Sequence, residues 1–410
     1  MSNLDKILVS CQCAPNIALI KYWGKSNEEL ILPLNGSISV SLDRSVLCAN
    51  TSLLLLKNNS SNKNKIKIWL NKTKQEFDDD SLNIAPDKSE IINRKRFLTM
   101  LNKVRSNCSL NDAHKYDLAI CSANNFPTAC GLASSASGFA CLAHCLAIAF
   151  DYNGDTSELA RLGSGSACRS CFGGFVKWSS SLDSSLSVAR PLFSATHWPE
   201  LNVLVLVLED GRKDVSSTNG MRDTVRTSEL LKERVRLVEE TRLSEMEEAI
   251  RRRDFAGMAK LTMVDSNCFH ACCMDTYPPL FYLNDKSKGV IKLVNDFNKQ
   301  QGGVRAAYSF DAGPNAFLFT LDESLNDLVD LVYRVYFGKR MSREEFQSSK
   351  LVCNGEQKFS LNSGNIEAGV EIEQHEAIVK YILHSKVGSE PLIAKNDWSS
   401  SLLDDQGEPK

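Results

Sequence analysis

The chain has 410 residues, 43% hydrophobic and 24% charged, which excludes a disordered polymer and leaves room for two domains. Its 48 Lys and Arg against 50 Asp and Glu leave a net charge of −2, so no overall basic field draws it to nucleic acid or anionic lipid, and any anion site must be built locally. Fourteen cysteines are too sparse for a disulfide scaffold and sit mostly in apolar runs; with a start, Met1 to Ser10, that lacks an apolar leader, they predict a cytoplasmic protein with reduced thiols.

In chain order, β-rich segments come first: Ile7–Cys13, Ile38–Leu42, Val46–Leu56 and Ile66–Leu70. The polar insert Lys57–Lys65 (KNNSSNKNK) reads as a solvated hairpin loop. Ser89–Ser106 opens on a Ser and repeats apolar residues at helical spacing, predicting an amphipathic helix with a basic face. A strand over Tyr116–Ser122 leads through a Pro/Gly loop into Leu132–Phe150, nineteen residues without formal charge. That length would cross a bilayer, but its serines, His144 and small residues suit a helix buried between layers of a soluble domain, so no membrane partner is expected. Another helix starts near Thr156, and Ser179–Ser187 (SSSLDSSLS) reads as a mobile loop.

From Leu201 the run LNVLVLVLED is that of a central strand buried on both faces. The domain boundary is placed just before it, giving domains 1–197 and 198–410 with a flexible tail from about 399. Helices follow over Ser228–Ala249, Asp254–Phe269 and Asp285–Gln301. The strand Val304–Phe310 runs into the sharp turn Asp311-Ala-Gly-Pro-Asn315, a strand resumes at Ala316–Leu321, and a last helix covers Leu325–Gly338.

Four segments carry polar groups in settings suited to chemistry. In Asn124–Gly138 (NNFPTACGLASSASG) small residues, hydroxyls and a helix start would cradle a phosphate; lacking a Lys, the loop would take its counter-charge from elsewhere or from Mg²⁺. A packing-driven helix cap fits the same residues. Gly163–Gly174 places Ser164 and Ser166 beside the planar fork of Arg169, fit for a carboxylate or phosphate, or simply a turn. Lys21 lies among apolar neighbours and either snorkels to water or faces an anion. Asp311 closes an apolar strand as a base with a tuned pKa or as a turn cap. Cys268-Phe-His-Ala-Cys-Cys273 lacks paired metal-ligand spacing and reads as core, and Arg251–Arg253 as a solvated helix end.

Taken together, APNIALIKYWGK, NNFPTACGLASSASG, GSGSACRS, SSTNGM and YSFDAGPNA occur in that order, and the series resembles the mevalonate diphosphate decarboxylase family of the GHMP kinase superfamily. The resemblance implies an α+β chain of GHMP kinase fold, with a ribosomal-S5-like N-terminal domain, a ferredoxin-like C-terminal domain and the active site in the cleft between them. It implies ATP-dependent decarboxylation of (R)-5-diphosphomevalonate, through phosphorylation of the C3 hydroxyl, to isopentenyl diphosphate, ADP, phosphate and CO₂, in isoprenoid and sterol biosynthesis. A superfamily kinase that phosphorylates without decarboxylating is the alternative.

Carried over residue by residue, Asp311 matches the base, Lys21 the lysine at the reacting groups and Arg169 the arginine on the substrate carboxylate. Asn16, Tyr22, Ser164, Ser166 and Ser217 match substrate contacts, the last within the 216–221 loop. Asn124, Gly131, Ser134 and Ser135 fall in the ATP-phosphate loop, with Ser134 a candidate Mg²⁺ ligand. A homodimer is also implied. Cys130 departs from the small inert residue usual in that loop.

Overall fold

A computed structural model describes residues 5–58, 65–75, 88–125, 134–209, 211, 214–348, 352–353 and 379–410. In the first half a six-stranded sheet runs in the order Leu392–Lys395, Lys6–Cys13, Ala49–Lys57, Tyr116–Asn124, Ile66–Leu70 and Thr73–Gln75. Alternation decides its faces: Val9, Cys11, Leu53, Leu55 and Ile120 point to the helices Lys88–Ser106, Ser134–Phe150 and Thr156–Gly163, whose Met100, Cys141 and Leu159 complete that core. The uncharged helix Ser134–Phe150 is thus buried in a protein interior, and no helix among the described residues is long and apolar enough to cross a membrane.

Three expectations change here. The insert Lys57–Lys65 does not close a hairpin, because Tyr116–Asn124 lies between the strands it joins and pairs parallel with Ile66–Leu70. The strand expected from Val46 starts at Ala49, since Asp43 turns the preceding residues by accepting from the Ser45 and Val46 backbone N–H groups. The tail expected to fray from about 399 is packed: Leu403 is fully buried with Leu8, Leu54, Trp69 and Ala119 on the sheet face opposite the helices, a burial of roughly 1.5–3 kcal/mol. Hydrogen bonds from the Leu402 N–H to Ser52 Oγ and from the Lys410 N–H to the Leu402 carbonyl tie it down.

A second sheet, in the order Ala189–Phe193, Phe175–Trp178, Ser37–Ser41 and Asn16–Ile20, faces a third, in the order Ala306–Phe310, Ala316–Leu321, Leu201–Val207, Tyr381–Lys386 and Val352–Cys353. Leu201–Val207 is buried throughout, as its run predicts. Val203, Val205 and Val207 join Ile17, Ile38 and Val40 in a core shared by both halves of the chain, while Leu204 and Leu206 pack on the helices Asp285–Gln300 and Asp322–Tyr336.

The loop Ser179–Ser187, read as mobile, is held at several points. Trp178 donates through Nε1 to Ser187 Oγ at 3.1 Å, and the fully buried Arg161 donates to the Ser184 carbonyl and hydroxyl. The described cysteines are free thiols, as their placement in apolar runs predicts.

Candidate active site

Two strands from opposite halves of the chain end at one place. Asn16–Ile20 delivers Lys21, Ala306–Phe310 delivers Asp311, and the helix Phe255–Met274 packs against both. Ser309 Oγ donates to the Ala18 carbonyl at 3.3 Å, and the Phe310 N–H to Ser266 Oγ at 3.1 Å, fixing the two ends relative to each other and to the helix. Lys21 Nζ therefore reaches Asp311 Oδ1 at 2.7 Å across 290 residues of sequence.

The pair is asymmetric: the lysine side chain is 3% exposed and the aspartate 32%. Burial pushes the lysine pKa down, and the Asp311 charge and hydrogen bond hold it partly up. Asp311 thus presents a carboxylate toward solvent with a buried cation fixed against it. Beside them His270 is buried, with its pKa lowered to about 3 by burial and then by the Lys21 charge, so its ring is neutral and adds no cation. The Cys268–Cys273 segment is accordingly mostly core, with Cys272 and Cys273 buried and Cys268 half-buried.

Arg169 is held from behind. The seven-residue 3₁₀ helix Gly165–Cys171 carries it inward, where Nε donates to Asn16 Oδ1 at 3.2 Å and Nη1 to Ser37 Oγ at 2.5 Å, with the guanidinium 5.9 Å from the Trp178 ring centre. Asn16 is itself oriented by donating to Ser170 Oγ at 2.8 Å and to the Ser166 carbonyl at 3.1 Å. Asn16 therefore touches Arg169, a contact its sequence position did not reveal. Ser164 and Ser166 are half-buried on the same turn.

The Tyr22 ring lies 4.7 Å from that of Trp178, tilted at 60°, and its hydroxyl is buried without a hydrogen-bond partner among the described residues. Gly165 permits this approach, because a Cβ there would stand 2.8 Å from the Tyr22 ring. A buried hydroxyl with no protein partner is costly unless a ligand supplies one.

The segment SSTNGM, expected as a loop, is a helix start: Ser216 caps it by accepting from the Asn219 N–H, and Ser217 is the first residue of the helix Ser217–Thr227. Around this end gather cations that sequence reading missed. Arg96 donates to Thr218 Oγ1 at 3.3 Å. Lys25 is nearly buried and paired with Glu28 at 2.6 Å, and its pKa is pushed down first by burial, with Arg96 and Arg222 adding repulsion. Three cations, one of them offset by Glu28, thus share a corner of a chain with no overall positive field. They could not be found from sequence because they lie on three separate elements.

In the segment expected to hold ATP, Asn124 closes the strand Tyr116–Asn124 and Ser135 is exposed in the first turn of the helix Ser134–Phe150. A Cβ added at Gly138 would meet nothing within 4 Å among the described residues. Gly131, Cys130 and the Ser134 side chain lie outside the described residues. The hydroxyl of Ser135 is a hard oxygen donor, the type that suits Mg²⁺, and the helix start adds partial positive charge that suits a phosphate.

Family models match this architecture in both halves: a diphosphomevalonate decarboxylase-like N-terminal domain over residues 13–189 and a mevalonate 5-diphosphate decarboxylase C-terminal domain over residues 203–394. Human diphosphomevalonate decarboxylase is 41% identical over 404 residues, covering 98% of this chain and 97% of its own. Similar solved structures include mevalonate diphosphate decarboxylase from Trypanosoma brucei, 34% identical with a TM-score of 0.83, covering 97% of this chain and 100% of its own. They also include a complex with MVAPP, AMPPCP and magnesium, 27% identical with a TM-score of 0.72, covering 95% of this chain and 100% of its own. The mixed α+β chain with its inter-half site therefore belongs to the diphosphomevalonate decarboxylase family.

Proposed function

We propose that the chain catalyses the ATP-dependent decarboxylation of 5-diphosphomevalonate to isopentenyl diphosphate, with the residues above in the following roles. The observation that carries the assignment is the Lys21–Asp311 contact at 2.7 Å beside the anchored Arg169. ATP with Mg²⁺ supplies the phosphoryl group and screens its charge; Asn124, Ser135 and, from the family, Gly131 and Ser134 would hold them.

Asp311 accepts the proton of the tertiary C3 hydroxyl, a crowded and poor nucleophile that gains most from a fixed base. Lys21 holds that carboxylate in place and offsets the negative charge that substrate carboxylate, phosphate and Asp311 bring together. Arg169, with Ser164 and Ser166, orients the substrate carboxylate so that, when phosphate leaves C3, the C–CO₂ bond is aligned to supply the electrons. Its guanidinium is already shared with Asn16 and Ser37, which supports orienting the carboxylate over neutralising it, since a tightly neutralised carboxylate resists loss of CO₂. Tyr22, Ser217, Lys25, Arg96 and Arg222 would receive the diphosphate.

The division into domains 1–197 and 198–410 is kept as part of this proposal. So are a place in sterol biosynthesis, a cytoplasmic location, for which the free thiols speak, and a homodimer, which light scattering on the purified protein would test. The activity test is a coupled assay with Mg²⁺, ATP and 5-diphosphomevalonate that follows ADP and CO₂ together. Wild type is expected to release both in equal amounts, and Asp311→Asn to lose both by roughly 10²–10⁴-fold. ADP without CO₂ would make the chain a 3-hydroxyl kinase, and silence in both channels would end the assignment.

A further inference from the structure

Lys21 sits just past the end of its strand, where the ladder no longer determines its position, and its backbone is gripped by Asp265 and Arg234 of the other half of the chain and by Asn35 of its own. Asp265 Oδ2 accepts the Lys21 N–H at 2.7 Å. Arg234 Nη2 donates to the Lys21 carbonyl at 2.8 Å, and Asn35 Nδ2 donates to the same oxygen at 3.0 Å. Arg234 also bonds both Asp265 oxygens, at 3.2 and 3.0 Å, and Asn35 Oδ1 at 3.1 Å, so the groups that grip are bonded to one another. Arg242 closes the set on Asp265 Oδ1 at 2.9 Å.

The Arg234 and Asp265 side chains are fully buried, and Arg242 is 11% exposed. Helix geometry brings the two arginines together. Eight residues of regular α-helix overshoot two turns by about 80°, which would swing Arg242 away from Arg234. Between them Val238–Arg242 forms a π turn, whose i→i+5 pairing takes up close to one extra residue and returns Arg242 to the Asp265 side. Burying this many charges is costly. No apolar packing would present an acceptor to the N–H and donors to the carbonyl of one residue.

We infer that Asp265, with Arg234 and Arg242, is a positioning group that sets the Lys21 backbone, and through it the ammonium, against Asp311. The inference rests on the reading of Lys21 as acting at the reacting centre. The cluster lies behind Lys21 and meets its peptide units; its action passes through that residue.

A double-mutant cycle tests this, with kcat for CO₂ release and KM for 5-diphosphomevalonate measured in full-length protein. Asp265→Asn keeps an acceptor for the Lys21 N–H but removes the charge that holds both arginines. It is expected to lower kcat roughly 10- to 100-fold with KM changed less than about threefold, and to cost less than about threefold more in a Lys21→Met background, because the two act as a unit. Equal losses in both backgrounds would reduce Asp265 to a general structural role and overturn the inference. If Asp265→Asn does not fold, Arg242→Gln at the rim enters the same cycle with the same expected non-additivity, and Arg242→Lys should recover most of its loss. A Lys21→Met enzyme with unchanged kcat would instead sink the reading of Lys21, a result independent of the Asp265 single variant.

Discussion

Along the helical run from Leu230 to Arg252, Arg236 meets Glu233 at 2.6 Å and Arg251 meets Glu248 at 2.6 Å on the solvent side. On the inner side Arg234 meets Asp265 at 3.0 Å and Arg242 meets it at 2.9 Å. Distance would rank the outer pairs first. Setting reverses the order: outside, water screens the charges and the long side chains give up rotamer freedom to pair, so such contacts add little. Inside, the surroundings do not solvate a charge left alone, and removing one partner exposes the full desolvation cost of the others. The inner pairs are also the ones that touch a catalytic candidate. Charges of one kind thus serve solubility on one face of the helix and geometry on the other.

The sharpest way to break this contrast is Asp265→Asn followed by thermal unfolding. Leaving the buried Arg234 and the nearly buried Arg242 without their anion should cost roughly 3–5 kcal/mol and lower Tm by several degrees; a Tm unchanged within error would show that water reaches the cluster and that inner and outer pairs are alike.

A smaller effect is expected from His384, buried in the third sheet with Nε2 2.8 Å from Asn202 Oδ1. Burial, then the Lys386 charge, lowers its pKa to about 4. The folded state therefore keeps the ring neutral while the unfolded chain takes a proton below its ordinary value near 6.5, so this contribution is present above pH 6.5 and is lost as pH falls toward 4. Between pH 6.5 and 5 the loss is roughly 1.5 kcal/mol. His384→Gln should flatten the Tm-against-pH curve in that window, and identical slopes would mean the ring is already solvated in the fold.

The smallest effect belongs to the solvent side: Arg236→Ala should leave Tm within roughly 1 °C of wild type. A larger drop would mean that the outer ladder is coupled to the inner one through the shared helix.

Much of the scaffold was legible in the chain, for identifiable reasons. The run at Leu201 had to be central, because a strand with leucine and valine on both faces needs cover on both, and the sheet supplies it. The helices at Ser89 and Thr156 were marked by local signals, and Asp155 caps the latter through hydrogen bonds from Ser157 and Glu158. Local signals fail where partners are distant: nothing in the Lys57–Lys65 insert reveals that the strand Tyr116–Asn124 passes between the two strands it joins. The tail was read as frayed because its only large apolar groups, Leu402 and Leu403, gain a partner only once the sheet exists.

For the site the division is similar. Sequence by itself determined the chemical inventory: a lysine in an apolar setting, an arginine in a Gly/Ser turn, an aspartate closing a strand, and, through their order along the chain, the family. Only the tertiary structure decided that Lys21 and Asp311 touch, that Asn16 and Ser37 hold Arg169, that Lys25, Arg96 and Arg222 share one corner, and that Asp265 and Arg234 grip the Lys21 backbone. The reason is physical: propensity and periodicity act over a few residues, whereas a charge's partner and exposure depend on which distant segments close around it.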